Sequence, residues 1–242
     1  MANELSTAGV TVGYAFESTS GERPVSGYQR VPGVKSTPDL NPEPSNLEVT
    51  ELEDTEWKRY ILGMKDPGGA LALTCNNTVE FQAAWYTLCQ LSAIARADSK
   101  ATWFVIAVPG LTDSFFVSAI PSSLGVIGMD VDAVAEVTAY ISPNNIDAWQ
   151  TAPTDPAVYI TPITTQLLTV GNSPIVLTPT LNTVGATILA ASSSNTGVAT
   201  VARTTTTVTI TRAGAGECDI TVTTDANTGY SAGKTIIKVK ST

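Results

Sequence analysis

The stretch LALTCNNTVEFQAAWYTLCQLSAIARA, residues 71–97, changes its hydrophobic period in mid-course. Leu71, Leu73 and Cys75 alternate with Ala72 and Thr74, the period of a strand with one buried face. Beyond Asn77 the positions Phe81, Ala84, Trp85, Leu88, Ser92 and Ala95 fall on one stripe at helical spacing, which predicts a single helix from 78 to about 96. Asn77 reads as its N-cap, with Glu80 at the third helical position as a capping-box variant, and Phe81 and Trp85 read as core. Outward from this junction the pattern is that of strands. Val10, Val12, Tyr14 and Phe16 alternate as a half-buried strand, and another is expected near Tyr28 to Val34. Ala101 to Val108 and Asp113 to Ile120, separated by Pro109-Gly110, read as a hairpin, and Ala133, Ala135, Val137, Ala139 and Ile141 mark a last strand. The expected fold is mainly β: a β-sandwich or barrel with one packed α-helix.

Composition points the same way. Of 242 residues 43% are hydrophobic, only 14% are charged, and 36 are threonine, a residue favoured in strands. Histidine is absent, which removes the usual general base near neutral pH, the Ser-His-Asp and Cys-His arrangements, and His-ligated metal sites. A net charge of −9 has the wrong sign for gripping nucleic acid through its phosphates. Cys75, Cys89 and Cys218 lie far apart without C-x-x-C spacing, so neither a zinc site nor a disulfide framework is expected, and the simplest origin is a reduced cytoplasm. No run approaches the roughly 20 apolar residues of a membrane span. The start Met1-Ala2-Asn3-Glu4 lacks a basic region followed by an apolar one, so export is not expected.

Charge and residue type divide the chain into two expected domains, 1–152 and 153–242. The first holds 18 acidic and 8 basic residues, net −10, while the second holds 4 acidic and 5 basic, net +1. All four tryptophans precede residue 152, and 23 of the 36 threonines follow it. Pro143-Asn144-Asn145 and Ala152-Pro153-Thr154-Asp155-Pro156 place a linker near 148–156. The second part offers short alternating runs at 158–161, 166–170, 175–181, 187–191, 198–202, 207–211, 218–223 and 236–240. Gly, Asn and Pro between these runs complete the signature of an immunoglobulin-like β-sandwich.

Candidate chemistry is sparse. Glu48, Glu51, Glu53, Asp54 and Glu56 crowd nine positions, and Asp130-Val131-Asp132 sets two carboxylates on one side of an extended segment. Paired carboxylates serve glycoside hydrolysis or hold divalent cations. The first group lies in a proline-bounded segment without the glycine-turned spacing of a calcium loop and the second opens a strand, so both read as solvated surface. Gly214-Ala215-Gly216 and Gly233-Lys234-Thr235 lack the rest of a nucleotide-binding motif and read as turns. Asn76-Asn77-Thr78 is a chance sequon, and the thiols, without histidine partners, read as buried and structural. No catalytic, metal or cofactor residue is predicted. The segment from Ser36 to Leu62, with Pro38, Pro42 and Pro44, is long and polar for a connection between strands, so it is either functional or disordered in the isolated chain.

The order of polar segment, Tyr60-Ile61-Leu62-Gly63-Met64-Lys65-Asp66-Pro67-Gly68-Gly69, strand, capped helix, Pro109-Gly110 hairpin and final strand resembles the major tail tube protein of long-tailed (siphovirus-like) phages and prophages over most of residues 1–150. Ser194-Asn195-Thr196-Gly197-Val198-Ala199-Thr200-Val201, followed by Gly214-Ala215-Gly216-Glu217-Cys218-Asp219-Ile220-Thr221-Val222, resembles the bacterial immunoglobulin-like (Big_2-type) domains often found at the C-terminus of such proteins. The resemblance implies a structural virion protein without enzymatic activity or cofactor, synthesised and assembled in the host cytoplasm and carried in the virion tail. Its partners would be itself, as hexameric rings stacked into a tube, together with tape-measure and tail-terminator or tail-tip proteins, and no membrane. DNA would pass through the lumen without specific binding, a role that a net −10 wall suits by repulsion. The immunoglobulin-like domain would decorate the exterior, where it would obstruct a close-fitting sheath and so favour a non-contractile tail. Within this picture Trp57, Tyr60, Ile61 and Leu62 are the candidate inter-ring contacts, on a segment that orders against the neighbouring ring. The alternative is a bacterial surface or envelope adhesion or carbohydrate-binding module. Against it stand the missing export signal and the scarcity of aromatic residues after 152, where only Tyr159 and Tyr230 occur.

Overall fold

The computed structural model describes residues 8–40, 45–63, 69–126, 131 and 133–242. Asp130 and Asp132, the Asp66-Pro67-Gly68 turn, and Pro42 and Pro44 lie outside the described residues. The protein is mainly β. In chain order the elements are β1 (Thr11–Phe16), β2 (Gln29–Arg30), β3 (Val34–Ser36), β4 (Asn46–Glu48), β5 (Tyr60–Leu62), β6 (Leu71–Asn76), α1 (Val79–Ala97), β7 (Thr102–Ala107), β8 (Asp113–Pro121) and β9 (Glu136–Thr151). There follow β10 (Gln166–Leu168), β11 (Ile175–Leu177), β12 (Ile188–Ser193), β13 (Ala199–Arg203), β14 (Val208–Arg212), β15 (Gly216–Thr224) and β16 (Lys234–Ser241).

Seven strands form one sheet in the order β2-β1-β7-β8-β9-β6-β3. Laid flat, its two edges would stand about 29 Å apart, six strand spacings. Yet β2 and β3, the two edges, are joined by Val31, Pro32 and Gly33 alone, a connection that spans at most about 14 Å. The sheet is therefore curled almost to closure. The connection stitches the seam: the Val31 N–H donates to Val12 O at 2.8 Å, and Gly33 O accepts from the Asn76 N–H at 2.8 Å. Gly33 takes φ +72, and a Cβ there would meet Asn76 O at 3.3 Å. The single strand expected from Tyr28 to Val34 is thus two short strands on opposite edges, divided where the chain crosses the seam.

Inside the curl lies the main core, with Val12, Tyr14, Leu73, Cys75, Phe104, Val117, Ala139 and Ile141 supplied by the sheet. Helix α1 leaves the end of β6 and returns to the start of β7, so it crosses one end of the sheet and plugs it with Phe81, Trp85 and Leu88. The Trp85 indole N–H donates to Ser122 O at 2.8 Å, which satisfies the polar atom of an otherwise buried ring. The helix spans nearly the expected residues, but its N-cap is Thr78, whose hydroxyl accepts from the Phe81 N–H at 3.1 Å. Asn77 accepts instead from the Gln82 side chain, and Glu80 is spent on the Tyr159 hydroxyl. Thr78 wins because its Oγ stands three residues from that orphan amide, the reach a cap requires.

Two strands differ from the expected pattern. β1 is buried on both faces rather than one, because Ala15, Trp103, Val105, Phe116 and Tyr28 form a second small cluster on its outer side. Residues 17–28 cover that side, and the Arg23 guanidinium lies 4.0 Å over the Phe116 ring while donating to Asp147 at 2.7 Å. β9 begins three residues later than expected and runs on to Thr151, through Pro143 and into the expected linker. It tolerates the proline because the β6–β9 ladder ends at Ile141, opposite Leu71, so on that side no strand bond needs the missing amide, and the β8–β9 ladder shifts register just beyond, between Ser118 and Ala119.

The remaining strands make two further sheets, β10-β16-β15-β12 and β11-β14-β13, around a core of Leu168, Ile188, Val208, Ile210, Ile220, Val222, Ile237 and Val239. Lys234 and Thr235, expected in a turn, open β16, and the run 158–161 contributes an isolated bridge from Ile160 to Leu181 rather than a strand. The proline-rich connection is stitched on both sides: Ala157 donates to Tyr28 O at 3.0 Å, and Ser231 donates to Pro156 O at 2.9 Å. The sandwich also rests on α1. β10 pairs with β16 only at residues 239–241, so the outer N–H and C=O of Ile236 are left to the Thr87 hydroxyl, which serves both at 3.2 Å. Tyr86 donates to Asp219 at 2.8 Å and Tyr159 to Glu80 at 2.7 Å.

Two substitutions test this architecture by chemical denaturation. Trp85→Ala, which empties the plug of the curled sheet, is expected to cost about 3–5 kcal/mol. Gly33→Ala is expected to cost about 1–2 kcal/mol from its positive φ alone, whereas Gly125→Ala, which meets open space, should change little.

Candidate functional site

The expected mobile loop is a two-stranded ribbon. β4 and β5 pair antiparallel with Asn46 opposite Leu62, Leu47 opposite Ile61 and Glu48 opposite Tyr60. Its far end is closed by the Val49 N–H to Arg59 O bond at 2.8 Å, the Arg59 N–H to Thr50 Oγ1 bond at 3.1 Å, and the Glu51 N–H to Asp54 Oδ2 bond at 3.0 Å. Among the described residues every hydrogen bond of 45–63 stays within the ribbon.

The structure therefore brings Trp57, Tyr60, Ile61 and Leu62 onto one projecting element but divides them. Alternation places Tyr60 and Leu62 on one face and Ile61, with Leu47, on the other, while Trp57 sits in the loop between the strands. All are open to solvent: Trp57 is 82% exposed, Leu62 74%, Tyr60 54% and Ile61 53%. Leu47 and Leu52 are exposed too, and sequence reading missed them. Leu47 announces itself only through its pairing with Ile61, which requires the register.

Charge decorates the same element. Lys58 bonds Glu48 at 2.9 Å, and Arg59 approaches Asp54 at 3.4 Å and Glu51 at 4.0 Å. The Lys58 ammonium holds the Glu48 carboxyl below its usual range and is itself raised by that carboxylate. Such exposed pairs are screened by solvent, so they shape the ribbon more than they stabilise it. Glu53 and Glu56 have no ion-pair partner among the described residues, and five carboxylates face two cations, leaving a net acidic surface.

Isolated two-stranded ribbons are marginal in water, and edge strands with apolar side chains invite pairing. At another edge, that of β10, Asn172 donates to Leu167 O at 2.8 Å and accepts from the Thr169 N–H at 2.6 Å. The ribbon gathers six of the exposed large apolar side chains on one short element.

Groups with catalytic potential are committed elsewhere. Glu17, 6% exposed, accepts from the Ala101 N–H, the Gly21 N–H and the Trp103 indole, all at 2.9 Å. Burial alone would raise its pKa, but these three donors outweigh it and hold the carboxyl below its ordinary value. Burial pushes the Cys75 and Cys89 thiols up to about 11, away from the reactive thiolate.

No protein-family model matches the sequence, and no curated protein is significantly similar to it. Among solved structures, one match is a chain in the cryo-EM structure of the anti-feeding prophage (AFP) baseplate, 6-fold symmetrised. It is 11% identical, with a TM-score of 0.43, and covers 61% of this chain and 97% of that one. Both measures are too low to assign this chain to a family.

Because the Glu17 pKa is lower folded than unfolded, its contribution is present above the unfolded value of about 4.3 and is lost as pH falls through the folded value. Glu17→Gln is expected to cost about 1–3 kcal/mol at neutral pH. Its stability should also fall less than that of the wild type between pH 5 and 3, as followed by denaturant midpoints at each pH, roughly the window set by that linkage.

Proposed function

We propose that the protein is a tail tube protein of a long-tailed phage or prophage, a structural virion component that self-assembles into stacked hexameric rings through which DNA passes. In this reading residues 1–152 form the tube domain, and residues 153–242 form an immunoglobulin-like domain on its exterior. The observation that carries the proposal is the ribbon: six exposed apolar side chains, Leu47, Leu52, Trp57, Tyr60, Ile61 and Leu62, on an element that, among the described residues, bonds to itself. Such a surface acquires its stability from a partner, and a chain that must pack against copies of itself supplies one.

Other features support the reading. The curled sheet with one helix follows the element order of the resemblance. The later strands form a four-stranded and a three-stranded sheet around a core of their own, the two-layer arrangement that the immunoglobulin-like reading needs. Residues 1–152 carry a net charge of −10, which keeps a conduit wall from adhering to nucleic acid.

Electron microscopy of the concentrated full chain tests the proposal, with stacked rings bearing outer knobs as the expected result. Ile61→Glu should abolish assembly while changing fold stability by less than about 1 kcal/mol, as exposed substitutions do. A wild type that stays monomeric at every concentration, or an Ile61→Glu protein that assembles as well as wild type, would count against it.

A further inference from the structure

The strand β6 lies between ribbon and helix in the chain: the ribbon precedes it and α1 follows it. The antiparallel order returns α1 to the start of β7 at the end of the curled sheet where β6 finishes. Ribbon and helix are thus separate elements of the surface.

The C-terminal turn of α1 carries the complement of the ribbon. Ile94 is 50% exposed there, beside exposed Ala93 and Ala97. Arg96 and Lys100 meet no carboxylate within ion-pair distance among the described residues, and the turn holds one acidic residue, Asp98, against these two cations. The ribbon offers the opposite pairing, apolar Trp57 and Ile61 with Glu53 and Glu56, which have no ion-pair partner among the described residues. We propose that the ribbon of one copy docks on the C-terminal turn of α1, around Ile94, Arg96 and Lys100, of the next copy. The inference rests on the self-assembly reading and adds the receiving surface. Because donor and acceptor are different patches, the contact is heterologous, and where its rotation does not close a ring it repeats as a linear stack.

Two full-length variants test it: one with reversed ribbon charge, Glu53→Lys/Glu56→Lys, and one with reversed acceptor charge, Arg96→Glu/Lys100→Glu. Glu53, Glu56 and Arg96 are exposed and Lys100 is half-buried, so thermal unfolding should show both variants folded. Alone, each would oppose like charges at the joint, and sedimentation should show stacking weakened at least tenfold in the concentration it requires. Mixed in equal amounts they should stack again in alternation, since each ribbon then meets an acceptor of opposite sign. If both variants stack like wild type, or if the mixture fails where wild type stacks, the acceptor is wrong while self-assembly stands. If wild type itself never associates, the self-assembly reading fails and the inference falls with it.

Discussion

Three residues, Val31, Pro32 and Gly33, tie together the opposite edges of a seven-stranded sheet, and most of the structure depends on that tether. A connection of at most about 14 Å forbids an open sheet. The sheet must curl, and curling creates an interior that only apolar side chains can fill. It also brings the two edge strands, β2 and β3, to the same seam. Gly33 suits the seam because its positive φ strains other residues and a Cβ there would press on Asn76 O at 3.3 Å.

Helix α1 follows from the same closure, since a curled sheet has an open end that needs a plug. Its apolar stripe faces that end, and its outer side is polar, with Glu80, Tyr86 and Thr87 bonding to Tyr159, Asp219 and Ile236. The two sides hold by different physics. The inner side gains from apolar area removed from water, while the outer side completes hydrogen bonds that β16 would otherwise lack where β10 stops short. One helix thereby joins the curled sheet to the sandwich, and the stitched connection at Pro156 and Ala157 adds a second tie.

The candidate site was half legible. Trp57, Tyr60, Ile61 and Leu62 stood out as apolar residues in a polar, proline-bounded segment, but three-residue strands carry too little period to reveal that the segment is a ribbon. Leu47 became part of the surface only through its register with Ile61, which sequence spacing does not encode. Glu17 gave no signal at all. A lone carboxylate after a strand looks solvated until Ala101 and Trp103, more than eighty positions away, bring two donors to it and Gly21 a third.

What the sequence by itself determined were the elements whose cause is local: the alternation of β6, the stripe of α1, the hairpin of β7 and β8, and the short strands of the second half. These follow from periods of two and 3.6 residues, properties of a few neighbouring positions. Tertiary structure decided which strands became edges, that β1 is buried on both faces, and that β9 runs through Pro143. It also decided that Thr78 rather than Asn77 caps the helix and that residues 46–62 pair with themselves. Each of these depends on groups brought together from distant parts of the chain, where burial and hydrogen-bond satisfaction outweigh local propensity.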